Sequence, residues 1–416
     1  MRDRQIFETE TLKNDINIHY YKSENPFVVL SVMIPIGSAH SGDNNNIIMG
    51  TPHFFEHLIL HRSKRHSKKD EFMKWVGSKG GFIIASTNQF TTIYTIQIKA
   101  EYVQDAWQGL YSLIFEPLLD TEDIEIERSI IINERGLCKW FPGDSELSNY
   151  IWSHWMDTTS VTRRQIFGDD TDLSKMSNLS LTNFHSLYKS QGIHVIVAGP
   201  SRIPDMYKEL DNIPTRQVRL IENSIPFSWK KKGYHESAFS DIEAPIYFTG
   251  TFYDLPSEKE RAAIHFLFEY LTNFSNGPIY KWLRQEKGWV YEVNYHRIIT
   301  KKQEAIVLEI PLQNLLQVNE VKNELSKHIE TAISNPDLLR AEVDRQLDGM
   351  VFSYQTVENI VSEALHDVEH YGFVTSEAKY QQYKELCVDP AYIQMIYIKY
   401  FAPELRGEFC AIPKQF

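Results

Sequence analysis

The spacing of hydrophobic residues along this chain predicts strands and helices that follow one another in turn. In the first half, apolar or alternating runs predict strands at 26–37, 90–99 and 192–200, and helical spacing predicts helices at 48–62, 67–79 and 101–117. A further helix is expected after Thr121, because acidic residues fill its first turn and Gly136 supplies a stop. The first half is therefore predicted to combine a sheet with helices.

The second half again begins with a strand and a long helix, which indicates an internal duplication. Strands are predicted at 244–254, 288–298 and 304–312, and helices at 258–273, 317–334 and 338–371. An irregular stretch with few periodic signals separates the two halves. We predict an α+β fold of two homologous domains, 1–205 and 236–416, joined by a linker at 206–235. Each domain is expected to be a mixed β-sheet packed with helices.

Composition narrows the class of protein. With 416 residues, of which 42% are hydrophobic and 24% are charged, the chain is long enough to bury two cores. The net charge of −12 argues against a nucleic-acid-binding protein, because such proteins present basic surfaces to phosphates. The chain has no run of 18 apolar residues, and its first twenty residues lack a signal-peptide pattern. We therefore expect neither a membrane span nor secretion.

The cysteines carry a further expectation about the compartment. Cys138, Cys387 and Cys410 are scattered along the chain without paired spacing. Disulfide frameworks and thiolate metal sites both need paired cysteines, so neither is expected here. The sequence therefore predicts a protein of the reducing cytoplasm.

The segment His53-Phe54-Phe55-Glu56-His57 carries the clearest chemical signal. On a helix, residues i and i+4 share a face, so His53 and His57 would present two imidazoles to one metal ion. A catalytic zinc ion needs three protein ligands, an open position for water and a nearby carboxylate that accepts a proton. Glu56 fits the role of this base better than that of a ligand, and H-x-x-E-H is an inverted zinc-protease motif. The alternative is a core helix that simply buries its two phenylalanines.

A third zinc ligand is available on the predicted helix 121–136. Glu134 lies near the end of this helix, and Glu127 lies two turns earlier and faces the same way. The two carboxylates would be roughly 10 Å apart, so Glu127 is expected to orient a histidine or tune the base instead of binding the metal. We therefore predict one Zn²⁺ per chain, held by His53, His57 and Glu134.

The motif at 53–57, followed some seventy residues later by ERSIIINE, resembles the zinc peptidases of family M16, the insulinase and pitrilysin family. The resemblance covers nearly the whole chain, including its two halves. It implies zinc ligands at His53, His57 and Glu134, a general base at Glu56 and a supporting acidic residue at Glu127.

A second element of the resemblance lies in the other half of the chain. LRQEKGWVYEV at 283–293 is similar to the family's R-x6-Y element and has Arg284 and Tyr291 at the matching separation. The resemblance implies that both side chains bind the carbonyl region of the substrate and stabilise the oxyanion. A guanidinium and a phenol are donors suited to that task. Without the zinc motif, the same residues would be interpreted as a surface arginine and a packed aromatic side chain.

The strand that follows the Gly80-Gly81 turn departs from the family pattern. Family members usually carry Asn-Ala-x-Thr there, whereas this chain has Ile84 at the asparagine position. Ala85 and Thr87 match, and the resemblance implies that this edge docks an extended peptide by strand addition. The loss of the amide is expected to alter substrate preference or rate.

Together these features predict a zinc-dependent endopeptidase that hydrolyses extended or unfolded peptides with a water activated by Glu56. The resemblance implies a chamber of four such domains, so two chains are expected to associate. A homodimer is the simplest assembly, and a heterodimer with a related subunit is the other. The alternative function is a non-catalytic or weakly active family subunit that binds peptides or a partner.

Two further features have simpler interpretations. His265 and Glu269, on the predicted helix 258–273, do not form an H-x-x-E-H motif and are expected to be remnants of the duplication. The basic stretch 61–69 follows the zinc motif directly. It either attracts acidic peptides or is a solvated loop.

Overall fold

The computed structural model contains two compact units. It describes residues 7–42, 45–137, 147, 150–157, 166–189, 191–214, 220, 226–300, 302–353, 355–372, 374 and 377–414. The described parts of 1–139, 160–224 and 352–375 form the first unit, and those of 140–159, 225–351 and 376–416 form the second. The segment 352–375 therefore belongs to the first unit, although the predicted domain 236–416 included it. The predicted domain boundaries stay a prediction.

The strands form one large sheet in each unit. In chain order they are β1 (Glu8–Thr11), β2 (Asn17–Lys22), β3 (Phe27–Ile34), β4 (Phe82–Thr87), β5 (Thr92–Lys99), β6 (Met156–Asp157), β7 (His194–Gly199), β8 (Ser228–Trp229), β9 (His235–Phe239), β10 (Ile246–Asp254), β11 (Asn294–Ile299), β12 (Gln303–Pro311) and β13 (Gly407–Pro413). The strand order is β1-β2-β7-β3-β5-β4 in the first unit and β11-β12-β10-β13-β9 in the second. Strands β6 and β8 form a separate pair.

The two sheets repeat one topology. The run β2-β7-β3-β5-β4 corresponds strand for strand to β9-β13-β10-β12-β11. In each run the first pair is parallel and the other three pairs are antiparallel. This repeat confirms the predicted α+β fold of two homologous domains with mixed sheets.

The helices connect and flank these strands. In chain order they are α1 (Thr51–Ile59), α2 (Glu71–Ser78), α3 (Val103–Phe115), α4 (Thr121–Leu137), α5 (Asp170–Ser174), α6 (Asn178–Tyr188), α7 (Pro204–Asp211), α8 (Glu258–Thr272), α9 (Pro278–Tyr280), α10 (Leu315–Ile333), α11 (Pro336–Ser353), α12 (Val357–Tyr371), α13 (Glu377–Leu386) and α14 (Pro390–Phe401). Helix α9 continues into a π-helical turn, Lys281–Glu286. Within the described ranges, no helix has the length and apolar character needed to cross a membrane.

The stretch 338–371 is helical as predicted, but it forms two helices, α11 and α12, with a break between them. Thr356 caps the second helix: its hydroxyl accepts a hydrogen bond from the backbone amide of Asn359 at 3.2 Å. Helix α12 then packs on the first sheet, where its residues Val357, Val361, Ala364 and Val368 contact Val29, Met33, Ile196 and Ala198. Helix α11 instead contributes Leu339 and Val343 to the core of the second unit.

Two other predictions also need correction. The strand predicted over 288–298 begins only at Asn294, because Gly288 has a φ of 68° and the Trp289 amide bonds back to the Leu283 carbonyl. The irregular stretch predicted near 205–235 contains most of α7, which begins at Pro204, and all of β8. Proline suits the first helical turn because its missing N–H has no acceptor there.

The cysteines of the second unit are buried and unpaired. Cys387 and Cys410 are free thiols within the second core. Cys138 lies outside the described residues. The expected cytoplasmic location stays a prediction.

Candidate metal centre

Helix α1 carries the histidine motif and is fixed firmly at its start. Gly50 precedes the helix with a φ of 82°, and a Cβ there would lie 2.4 Å from the carbonyl oxygen of Phe167. Only glycine satisfies both conditions without strain. Phe54 and Phe55 are fully buried on one side of the helix. The core-helix alternative is therefore correct about these two side chains, but it does not account for the polar side chains that flank them in the sequence.

The polar side of α1 brings His53, Glu56 and His57 together. The imidazole rings of His53 and His57 have centroids 4.6 Å apart. Ligand atoms of all three residues lie within 4.8 Å of one another, and both His53 and Glu56 are buried. Helical spacing alone produces this cluster, as the sequence predicted.

Helix α4 brings Glu134 to the same place. Its Oε2 atom lies 3.7 Å from Nε2 of His53 and 3.3 Å from Nε2 of His57. Ligand atoms on a tetrahedral zinc ion are separated by roughly 3.4 Å, from metal–ligand distances of about 2.0–2.2 Å. Oε2 of Glu134 is also buried and forms no hydrogen bond to any described residue. A cation held by the three groups would satisfy this oxygen, so the residues present fit zinc.

His53 and His57 have pKa values shifted in opposite directions by their surroundings. Burial, with the neighbouring His57, lowers the pKa of His53 to about 4. Burial also lowers the pKa of His57, but the neighbouring carboxylates of Glu127 and Glu134 outweigh it and raise this pKa to about 10. The carboxylate of Glu134 has a lowered pKa because of His57. The carboxylates of Glu127 and Glu134 therefore favour positive charge at His57, and a bound zinc ion would replace the proton on Nε2.

Glu127 contacts the centre from the second turn of α4. Nδ1 of His57 donates to Oε2 of Glu127 at 3.0 Å, and the carboxylate is only 3% exposed. With its Nδ1 proton engaged, the His57 ring turns Nε2 towards Glu134. Glu127 therefore orients His57, a candidate metal ligand. The role of Glu127 in catalysis stays a prediction.

Glu56 is joined to the neighbouring strand β4. The hydroxyl of Thr87 donates to Oε2 of Glu56 at 3.2 Å. Burial raises the pKa of Glu56 to about 7, in spite of the opposing effects of His57 and Thr87. A carboxyl with a pKa near neutrality can both accept and return a proton.

Strand β4 is the edge strand of the first sheet and pairs with β5 alone. Phe82 and Ile84 are exposed on it, Ile84 by 58%, whereas Thr87 is buried. Ala85 is half-buried and pairs with Tyr94. The edge therefore offers backbone groups and apolar side chains to an added strand, and the substrate-binding roles of Ala85 and Thr87 stay predictions.

Arg284 and Tyr291 come together within the second unit. The guanidinium lies 5.5 Å from the centre of the Tyr291 ring, and Nη1 of Arg284 donates to the Val290 carbonyl at 3.1 Å. Tyr291 is 68% exposed, beside the exposed Phe274. The interpretation of Tyr291 as a packed aromatic side chain is therefore wrong. Both groups are available as donors, but their role stays a prediction.

Two family models match this chain. The model described as "Insulinase (Peptidase family M16)" matches residues 18–151, and "Peptidase M16 inactive domain" matches residues 170–350. The chain belongs to peptidase family M16. This membership supports a peptidase-like function, and the zinc chemistry of M16 peptidases agrees with the group formed by His53, Glu56 and His57.

Relatives of this M16 chain include proteases. Protease 3 of Escherichia coli (strain K12) is 22% identical over 267 residues, which are 62% of this chain and 27% of that protein. Mitochondrial-processing peptidase subunit alpha of Rattus norvegicus is 26% identical over 130 residues, which are 31% of this chain and 24% of that protein. The matched regions thus span about a quarter of the length of these relatives.

Solved structures show the same two-domain fold. A protease from Helicobacter pylori has a TM-score of 0.80 at 16% identity, over 98% of this chain and 100% of that one. A peptidase M16 inactive domain from Pseudomonas fluorescens has a TM-score of 0.80 at 12% identity, over 98% of both chains. These similarities establish the M16 architecture and leave activity open.

The second half of this M16 chain lacks a matching metal group among its described residues. On α8, His265 and Glu269 lie 3.7 Å apart and are about 40% exposed. Glu269 also accepts a hydrogen bond from Tyr295 at 2.6 Å. Both residues are therefore surface groups, consistent with a remnant of duplication.

His61 and Asp70 lie near the candidate metal centre, and neither of them was predicted from the sequence to be a site residue. Oε1 of Glu127 contacts Nε2 of His61 at 2.7 Å, and Nδ1 of His61 contacts Asp70 at 2.6 Å. The available signal was spacing, because His61 follows His57 by four residues and lies within the helix predicted over 48–62, although α1 itself ends at Ile59.

The rest of the basic stretch 61–69 is largely ion-paired. Arg62 and Lys69 both contact Asp123, and Lys64 contacts Glu116. Pairing cancels much of the positive charge that steering of acidic peptides would need.

Proposed function

We propose that this chain is a zinc-dependent endopeptidase that hydrolyses extended or unfolded peptides. The observation that carries the proposal is the meeting of His53, His57 and Glu134 at distances that suit a zinc ion, with Glu56 beside them. A purely structural cluster would not need the Glu134 carboxylate, whose buried Oε2 forms no hydrogen bond to any described residue. M16 membership supplies independent support for peptide hydrolysis.

The chemistry divides between the metal and Glu56. When bound, zinc polarises the scissile carbonyl and lowers the pKa of water towards about 7. Glu56 accepts a proton from the attacking water and later gives it to the leaving amine, a role that suits its pKa of about 7. Glu127 holds His57 through Nδ1 throughout.

The peptide would lie along the free edge of β4. An extended chain added there would hydrogen-bond to the backbone near Ala85. The same strand carries Thr87, which is hydrogen-bonded to Glu56. The exposed Phe82 and Ile84 would contact alternate side chains of the peptide. An apolar Ile84 favours substrates with apolar residues at the facing position.

We further propose that two chains associate to form the peptide chamber, with the zinc of one chain opposed to Arg284 and Tyr291 of its partner. Tyr291 and Arg284 are exposed donors that would stabilise the developing oxyanion. A homodimer would contain two such sites, and a related M16 subunit would make a heterodimer. Sedimentation of this chain at micromolar concentration is expected to give a dimer, and a monomer alone would contradict the homodimer.

A second candidate function is a weakly active or non-catalytic M16 subunit that binds peptides. The observation in its favour is Ile84, which stands exposed on the docking edge where the family pattern has an amide. Such a subunit would bind zinc and peptide without cleavage.

The test compares the wild type with Glu56→Gln on a mixture of unfolded peptides of graded length, with products identified by mass spectrometry. We expect cleavage of the shorter peptides by the wild type, lost with a chelator and reduced at least 100-fold in Glu56→Gln. Both proteins should bind one zinc ion per chain. Cleavage by Glu56→Gln at the wild-type rate would contradict the mechanism. Zinc binding without cleavage by the wild type would favour the non-catalytic subunit.

A further inference from the structure

A chain of four side chains runs from the metal centre to the loop after α1. Its order is His57, Glu127, His61 and Asp70. Each of its three links is short: 3.0 Å from His57 Nδ1 to Glu127 Oε2, 2.7 Å from Glu127 Oε1 to His61 Nε2, and 2.6 Å from His61 Nδ1 to Asp70 Oδ1. Each carboxylate oxygen of Glu127 therefore has its own histidine.

Asp70 is held in place for this contact by its backbone. It has a φ of 58°, in the left-handed region that few residues other than glycine, asparagine and aspartate adopt. Its amide donates to the carbonyl of His61 at 2.9 Å, while its side chain accepts from the ring of the same residue. Two hydrogen bonds thus fasten Asp70 to His61, and an uncommon backbone conformation is kept where it serves this contact.

The ring of His61 must donate from both nitrogens, because both face carboxylate oxygens that only accept. Burial lowers the pKa of His61, but the hydrogen bonds to Glu127 and Asp70 outweigh burial and raise it. With a proton on each nitrogen, the ring is a cation beside the buried carboxylate of Glu127. This positive charge compensates the negative charge of the buried Glu127 carboxylate.

We propose that His61, braced by Asp70, is a positioning residue of the metal centre. It fixes the Glu127 carboxylate in the orientation that receives the Nδ1 proton of His57, so that His57 offers Nε2 to zinc. The inference rests on the zinc site of the proposed function. It concerns metal affinity and can be tested without a substrate.

The test measures the zinc dissociation constant by competition with a chromogenic chelator, together with the melting temperature of the metal-free protein. The variants are His61→Leu, His61→Gln, Asp70→Asn and the control His66→Leu. His66 lies in the same loop and its ring packs on Phe72, 5.2 Å between centroids. Asparagine tolerates the left-handed backbone, and glutamine retains one donor towards Glu127.

We expect His61→Leu to weaken zinc binding about tenfold, at the lower end of the effect of residues that hold metal ligands. His61→Gln should recover part of this loss, Asp70→Asn should show a smaller loss, and His66→Leu should match the wild type. If His61→Leu does not fold, His61→Gln and Asp70→Asn decide the question against the same control.

Wild-type zinc affinity in folded His61→Leu would overturn the inference, as would an equal loss in His66→Leu. A wild type that binds no zinc would overturn both the inference and the proposed function. A wild type that binds zinc and cleaves no peptide would contradict the proposed function alone.

Discussion

The hydroxyl of Thr87 donates a hydrogen bond to Glu56 over 3.2 Å and so joins the edge strand β4 to helix α1, which carries the candidate metal ligands. The two residues are 31 positions apart, and both are buried. The strand proposed to receive the peptide therefore also orients the proposed base. Docking and proton transfer would share one rigid connection, which favours a fixed geometry between substrate and base.

Replacing Thr87 tests this connection. Thr87→Val keeps the shape of the side chain but removes the donor, so the Glu56 carboxylate loses its orientation, and kcat should fall about tenfold, the cost of one hydrogen bond to a charged group. Thr87→Ser keeps the hydroxyl and should stay close to the wild type. Steady-state cleavage of a peptide found in the Glu56 experiment gives kcat, and zinc content should be equal in all three proteins. Equal kcat in Thr87→Val and the wild type would show that the contact is only structural.

Removing the third ligand should abolish tight metal binding. Glu134→Gln retains an amide oxygen but loses the negative charge, and zinc affinity should fall at least 100-fold because two histidines alone make an incomplete site. Glu125→Gln on the same helix is the matched control, since Glu125 is exposed and pairs with Arg128. Isothermal titration with zinc gives both affinities. Tight binding of one zinc ion by Glu134→Gln would mean that another residue completes the site.

The contact between α2 and α3 depends on the absence of a side chain at Gly109. A Cβ there would lie 2.0 Å from the ring of Phe72, which is fully buried, so Gly109→Ala should destabilise the protein by about 1–3 kcal/mol. Gly77→Ala is the control, because it lies in α2 with nothing within 4 Å of the added Cβ. It should stabilise the protein by up to about 1 kcal/mol through the entropy of the unfolded chain. Urea unfolding measures both, and effects of the same sign would contradict this account.

Two stacked histidines should make the first unit sensitive to acid. His19 and His194 share a hydrogen bond of 3.1 Å between Nε2 and Nδ1, and burial lowers the pKa of each to about 4, with His194 adding to the effect on His19. Their ordinary pKa in the unfolded chain is about 6.5, so between pH 6.5 and 4 the unfolded state binds more protons. The contribution of the neutral pair to the free energy of unfolding is therefore fully present above pH 6.5. It is lost as the pH falls towards 4.

The loss should reach about 2 kcal/mol per histidine at pH 5. The measurement is the free energy of unfolding in urea at pH 7.5 and pH 5, for the wild type and for His194→Gln. The variant has one titrating ring fewer, so its free energy should fall less between the two pH values. An identical fall in both proteins would show that the pair does not control acid stability.

Local patterns were enough to predict the two helices of the metal site. His53 and His57 share a face because of helical spacing, and Glu127 and Glu134 recur two turns apart on α4. The break within the helical stretch 338–371 was not predicted, for a related reason. Hydrophobic periodicity continued across Thr356, but it carried no information that α11 would pack in one core and α12 in another.

By itself, the sequence determined the α+β class, the duplication, and the residue types and spacings of the proposed zinc site, because helical and strand periodicities act over a few residues. Only the tertiary structure decided that Thr87 bonds to Glu56, that His61 and Asp70 brace Glu127, and that α12 packs on the first sheet. These contacts join residues on different elements. Their partners are selected by the packing of whole helices against sheets, which no short pattern records.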